Sequence, residues 1–172
     1  MTMQMTSQSA EPANVTLRPV GPEDHEFLVE VYGSTRAAEL ALVPWTIEQQ
    51  QAFIRSQFAS QQDHYAQNYP AANHDIIMCQ DRQVGRLYAA RLDHEIRIVD
   101  ITVLPSEQNS GIGTHLIRQL LDEAKRSGKV TRVYVEEFNP SLRLFYRLGF
   151  SVREQQGFHL LLEWSPSNSS GS

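Results

Sequence analysis

The residues best equipped for chemistry sit in one short stretch, Ser106 to His115 (SEQNSGIGTH), between an apolar run and an amphipathic one. Gln108, Gly111 and Gly113 are spaced Gln-x-x-Gly-x-Gly. The first four N–H groups of a helix lack intrahelical partners, and the helix dipole favours negative charge there. A glycine loop opening into a helix is therefore an anion site, and phosphate is its usual anion. A dinucleotide fingerprint needs a third glycine where Leu116 stands, and a P-loop needs a Gly-Lys-Ser/Thr that does not follow.

Other chemistries find no support. His25, His64, His74, His94, His115 and His159 are scattered without metal-ligand spacing, so no metal is expected. No Ser/His/Asp or Cys/His pattern marks a covalent nucleophile.

The elements that must position the loop follow from periodicity. Val15–Val20 alternates as a first strand, and Gly21-Pro22 breaks it. Phe27, Leu28 and Val31 have helical spacing, which Gly33 is expected to interrupt. Thr46 with Gln49 forms a capping box ahead of a polar, solvent-facing helix that ends near Asn68–Pro70. Ile76–Cys79, Val84–Leu92 and Ile96–Leu104 read as three successive antiparallel strands. A helix from Gly113 to about Ser127, closed by Gly128, leads to strand Val130–Val135, and this strand–helix–strand unit makes the two strands parallel. Asn139 is expected to cap a short helix with Pro140 at its first position, and a final hairpin turns near Gln156-Gly157. The order is β-α-α-β-β-β-α-β-α-β-β: an α/β (α+β) domain over 14–165, with a mixed, mostly antiparallel sheet and about four helices.

Composition sets the boundaries. The 172 residues suit one domain, and 41% apolar with 20% charged residues is ordinary globular usage. Residues 1–13 read as a disordered leader without signal-peptide character, and 166–172 as a disordered polar tail. The net charge of −5 argues against nucleic acid as a partner, and no apolar run is long enough to span a membrane. One cysteine, Cys79, fits a reducing, cytoplasmic setting. The exposed final strand is a candidate pairing edge, for a monomer or a homodimer.

Val103-Leu104-Pro105-x-x-Gln108-x-x-Gly111-Ile112-Gly113 resembles the acyl-coenzyme-A signature of the GNAT superfamily of N-acetyltransferases. Asn139-Pro140-Ser141-Leu142-Arg143-Leu144-Phe145-Tyr146-Arg147-Leu148-Gly149-Phe150 is similar to the family's second landmark, and the element order from Val15 to Trp164 matches too. The resemblance implies acetyl transfer from acetyl-CoA to a primary amine by direct attack in a ternary complex. It implies a central parallel strand pair that splays apart, with the backbone of Ile101, Thr102 and Val103 pairing with the pantetheine arm. The amides of Asn109, Ser110, Gly111, Ile112, Gly113 and Thr114 would hold the pyrophosphate, with Gln108 and Asn139 completing the cofactor site. An amide near Val103 would polarise the thioester carbonyl.

The chain departs from the family at two points. Asn109 and Ser110 stand where the family usually carries a basic residue, so Arg118 or His115 is left to compensate. The family's acid, which protonates the departing thiolate, falls on Tyr146 counted from Asn139 and on Phe145 counted from Gly149; only Tyr146 has a hydroxyl, and it also counts as a cofactor contact. Candidate bases for the amine are Asp100, Glu136 and Glu137, with Glu136 preferred at the carboxyl end of a parallel strand. The resemblance puts the acceptor among Arg36, Glu39, Trp45, Phe53, Tyr65 and the Gly157–His159 turn. The alternative reading is an acyl-CoA-binding regulatory module with weak catalysis or none.

Overall fold

The computed structural model describes residues 14–166; the expected leader and residues 167–172 of the expected tail lie outside the described residues. The chain runs β1 (Val15–Pro19), α1 (His25–Leu40), α2 (Ile47–Asn68), β2 (Asn73–Cys79), β3 (Arg82–Arg91), β4 (Glu95–Val103), α3 (Ile112–Ser127), β5 (Val130–Glu136), α4 (Leu142–Arg147), β6 (Ser151–Gln156) and β7 (His159–Trp164). The seven strands form one sheet in the order β1-β2-β3-β4-β5-β7-β6. Only β4 and β5 are parallel, and α3 is the crossover between them.

Alternation along the strands divides the core between the two faces. Ile77 and Leu87 join the cluster beneath α3 and α4, where Ile112, Leu116, Leu120 and Ala124 form one helical stripe. Ile76, one residue from Ile77, points the other way and packs with Leu28, Tyr32, Ile54 and Phe58 of α1 and α2. The two ends of local sequence logic hold well here. Thr46 and Gln49 exchange capping hydrogen bonds of 3.1 and 2.9 Å, and Gly128 ends α3 at φ 69°.

Four expectations are corrected. Gly33 does not interrupt α1, which runs unbroken past it; a Cβ there would lie 3.4 Å from Ile54, so the glycine lets α2 pack close. Asn139 does not cap α4, which starts at Leu142; the Asn139 side chain instead accepts from the Ser141 N–H and hydroxyl, each at 2.8 Å, forming a turn before the helix. The last strand in the chain is not an edge, because β7 inserts between β5 and β6, and the exposed edge is β6. The glutamines of α2 are not all solvated, for a reason that belongs to the site.

Candidate active site

The site begins where β4 and β5 part. They pair only over Glu95–Ile98 against Val130–Val133. On its other edge β4 follows β3, but Ala89 pairs with Ile98 and Tyr88 with Asp100, so Val99 is an extra residue and β4 bulges there. Beyond the bulge β4 stays on β3 as far as Gly85 opposite Val103, while β5 continues on β7 to Glu136 opposite His159. The backbone of Val99–Val103 thus has no β5 partner and lines one side of a groove of about 1960 Å³, with Tyr134, Val135 and Glu136 on the other.

Two devices keep β4 on β3 through the splay. Gly85 is the closest approach: a Cβ there would sit 2.1 Å from the Thr102 carbonyl oxygen and 2.9 Å from Val103 Cα. Next to it Arg86, 1% exposed, reaches across to Asp100 at 2.5 Å. Arg86 also donates to Gln61 and, at 2.8 Å, to Gln62 of α2, and its guanidinium lies 5.8 Å from the Tyr65 ring centroid. Asp100 accepts in turn from Thr102 Oγ1 at 2.7 Å and Tyr65 Oη at 3.5 Å. Burial, with the Asp100 charge second, pushes the Tyr65 hydroxyl well above its usual range, so it stays a donor. Gln61 and Gln62 are therefore the polar lid on a buried ion pair rather than a solvated face.

At the far end of the splayed strand the loop is tied locally. Gln108 Nε2 donates to Val103 O at 2.9 Å, and Ser110 Oγ to Glu107 O at 2.6 Å. Asn109 and Gly111 take φ 65° and 87°. Gly111 precedes α3 with no side-chain cap, and the first helical bond there is His115 N–H to Gly111 O at 2.9 Å. The amides of Ile112, Gly113 and Thr114 are thus left unclaimed by the helix on the groove side. A Cβ on Gly113 would meet only Leu144 Cδ2, at 3.8 Å, so the packing does not demand glycine there. Uncapped amides with room beside them suit a diphosphate.

The other expected residues divide. Ile101, Thr102, Val103, Gln108–Thr114, Asn139, Glu136 and Asp100 all line the groove, as do Arg36, Glu39, Tyr65 and His159, four of the residues expected around an acceptor. Asp100 is committed to Arg86, whereas the Glu136 carboxylate has no partner among the described residues. Tyr146 is 43% exposed and does not line the groove. Phe145 takes the inward position, 1% exposed and edge-on to Phe150 at 5.2 Å, and the 100° step of a helix turns the next residue outward. Trp45 and Phe53 pack on each other at 5.3 Å beside a separate hollow of about 370 Å³ and do not touch the groove. Gly157 is not on it either. Sequence reading passed over Gly85, Arg86, Gln61 and Gln62; the one signal was a glycine and an arginine side by side in an otherwise apolar strand. Among the described residues no group of three or more His, Cys, Asp or Glu is placed to hold a metal ion, and no helix is long and apolar enough to cross a membrane.

Behind Asp100, on the same row of the sheet, Tyr88 and His74 stack at 4.4 Å, and His74 Nε2 is buried without a partner. Burial first and the Arg86 charge second hold the His74 pKa down to about 4. An unfolded chain takes up that proton near pH 6.5. Between those values the unfolded state binds more protons, so this group makes stability fall as pH drops from about 6.5 to 4. His74→Phe, which keeps the stack, is expected to flatten that part of the stability–pH curve; urea midpoints at pH 4.5 and 7 measure it, and an unaltered slope refutes it.

With this geometry in hand, comparison with known proteins is direct. A profile described as "Acetyltransferase (GNAT) family" matches residues 35–150. An L-methionine sulfoximine/L-methionine sulfone acetyltransferase of Salmonella typhimurium is 42% identical over 57 residues, 32% of this chain, and the match spans about a third of that relative's length, 33%. The PaiA N-acetyltransferase of Thermoplasma acidophilum, solved with coenzyme A, superposes with a TM-score of 0.66 at 18% identity, over 88% of this chain and 99% of that one. The ribosomal-protein-S18-alanine N-acetyltransferase of Escherichia coli superposes with a TM-score of 0.58 at 17% identity, over 88% and 93%. At these identities the structural likenesses establish the fold.

Proposed function

Because the chain belongs to the GNAT acetyltransferase family, we propose that it moves an acetyl group from acetyl-CoA to a primary amine by direct attack in a ternary complex. The observation that carries the reading is the groove itself: a splayed strand edge at Val99–Val103 leading to the uncapped start of α3. The free edge of β4 pairs with the amides of the pantetheine arm as an added strand does, and the N–H groups of Ile112–Thr114 take the diphosphate. The neutral amine attacks the thioester carbonyl carbon, a backbone amide near Val103 receives the developing oxyanion, and the carbon–sulfur bond then breaks. The proton lost by the amine goes to Glu136, whose carboxylate is uncommitted, directly or through one water. The thiolate leaves unaided and takes its proton from water, because a thiol of pKa near 8.5 is a tolerable leaving group. We place the reaction in the cytoplasm, where Cys79 stays a thiol.

The Salmonella relative is named for two amino-acid derivatives, so the acceptor panel starts from amino acids and their side-chain analogues and adds polyamines, an aminoglycoside and a peptide N-terminus. Thiol release is measured for each amine. On the best one, Glu136→Gln is expected to lower kcat about 10²-fold, and Tyr146→Phe to leave turnover unchanged. An unchanged rate in Glu136→Gln overturns that residue's role. Micromolar coenzyme A binding with no release on any amine favours the binding-module reading instead, which the absence of an α4 hydroxyl on the groove supports.

A further inference from the structure

The groove does not stop at the start of α3. It continues as a crevice along that helix, past His115, Arg118 and Asp122, and is walled on the other side by Arg143, Leu144 and Arg147 of α4. Three other exposed arginines are matched by carboxylates: Arg55 with Glu26 at 2.7 Å, Arg82 with Glu107 at 2.6 Å, Arg153 with Glu163 at 3.0 Å. Arg118, Arg143 and Arg147 have no such partner among the described residues. The arrangement is costly as it stands. Arg143 and Arg147 are four apart on one short helix, where like charges repel, and Arg118 adds a third cation to the same crevice. Asp122 is the one carboxylate on these two walls, so the crevice keeps an excess of positive charge in a chain whose net charge is −5.

We infer that this crevice is a phosphate site in which Arg143 and Arg147 of α4, with Arg118 of α3, bind the 3′-phosphate of the coenzyme's ribose, so that the chain selects coenzyme A over its dephosphorylated form. This rests on the coenzyme reading of the groove and adds to it. The amides at the start of α3 account for the diphosphate, and the crevice is the continuation of the groove beyond them. A phosphomonoester carries close to two negative charges at neutral pH, and guanidinium forks match its oxygens. The crevice also explains how the loop manages with Asn109 and Ser110 in place of a cation: the fixed positive charge lies one helix turn and more further along the same ligand path.

The test is calorimetry on the whole protein with three probes: coenzyme A, 3′-dephospho-coenzyme A, and adenosine 3′,5′-bisphosphate. Coenzyme A is expected to bind at least about tenfold more tightly than the dephospho form, the worth of charge-assisted contacts to one phosphate. In the Arg143→Gln/Arg147→Gln variant that ratio is expected to fall to near one, with the dephospho form binding as before, and the bisphosphate is expected to bind the unaltered protein and not the variant. The salt dependence of coenzyme A binding should weaken in step. Equal affinity for the two coenzyme forms in the unaltered protein overturns the inference, as does a ratio that survives in the variant. Failure of every probe to bind counts instead against the coenzyme site as a whole. A second variant, Arg118→Gln, lies on the longer helix and separates loss of a contact from disturbance of α4.

Discussion

Gly85→Ala is expected to lower the unfolding midpoint by about 6–12 °C and to remove measurable coenzyme A binding. The added Cβ would stand 2.1 Å from the Thr102 carbonyl oxygen and 2.9 Å from Val103 Cα, and both obstacles are backbone. No rotamer change relieves them, so β4 must lift away from β3 along Thr102–Val103. Overpacking of this kind costs about 3 kcal/mol, and in a domain of this size each kcal/mol moves the midpoint by about 2–4 °C. The binding loss follows from place rather than from energy: the displaced residues are the free strand edge proposed to pair with the pantetheine arm. Gly33→Ala is the matched control. Its Cβ would meet only the Ile54 side chain, at 3.4 Å, and a helical glycine loses backbone entropy that alanine does not. That variant is expected to stay within about 1 kcal/mol of the parent and to bind coenzyme A normally. Calorimetric scans and coenzyme titrations of the pair decide it, and a Gly85→Ala protein with an unaltered midpoint and affinity defeats the argument.

The contrast between these two glycines shows what the sequence could and could not say. Features set within a few residues were legible: the Thr46–Gln49 box, the Gly128 stop, the helix stripe from Ile112 to Ala124, and the glycine loop at Gly111. So was the element order, because periodicity is local. Gly33 and Gly85 look alike in sequence, and only the partner across the gap distinguishes them, α2 in one case and β4 in the other. Arg86 was passed over for the same reason. Its partners Gln61, Gln62 and Asp100 lie 25, 24 and 14 residues away, and glutamines on a polar helix look solvated until the buried cation beneath them is seen. Tyr146 illustrates a different limit. A one-residue shortening before Gly149 leaves two registers that sequence counting cannot separate, and core packing of Phe145 on Phe150 makes the choice.

Arg86 carries the second large effect, and the size depends on whether its partner is removed with it. Arg86→Met is expected to cost about 3–5 kcal/mol, since it strands the Asp100 carboxylate in a site that is 15% exposed. Arg86→Met/Asp100→Leu removes both charges, and buried pairs replaced by apolar residues are commonly neutral or better for stability, so the double variant is expected to melt near the parent temperature. Acetyl transfer is expected to fall about 10²-fold in it all the same. The Asp100–Thr102 contact and the tie to Gln61 and Gln62 hold the bulged segment that lines the groove, and small misplacement of reacting groups is worth that much. Coenzyme A affinity should fall far less than in Gly85→Ala, because Gly85 still lets Thr102–Val103 lie close against β3. Adding Glu136→Gln to the double variant separates positioning from proton transfer. With Glu136 as the base, the triple variant loses about a further 10²-fold in kcat. With Asp100 as the base, the added substitution changes kcat little. A double variant that is stable and fully active would show that the ion pair serves neither purpose.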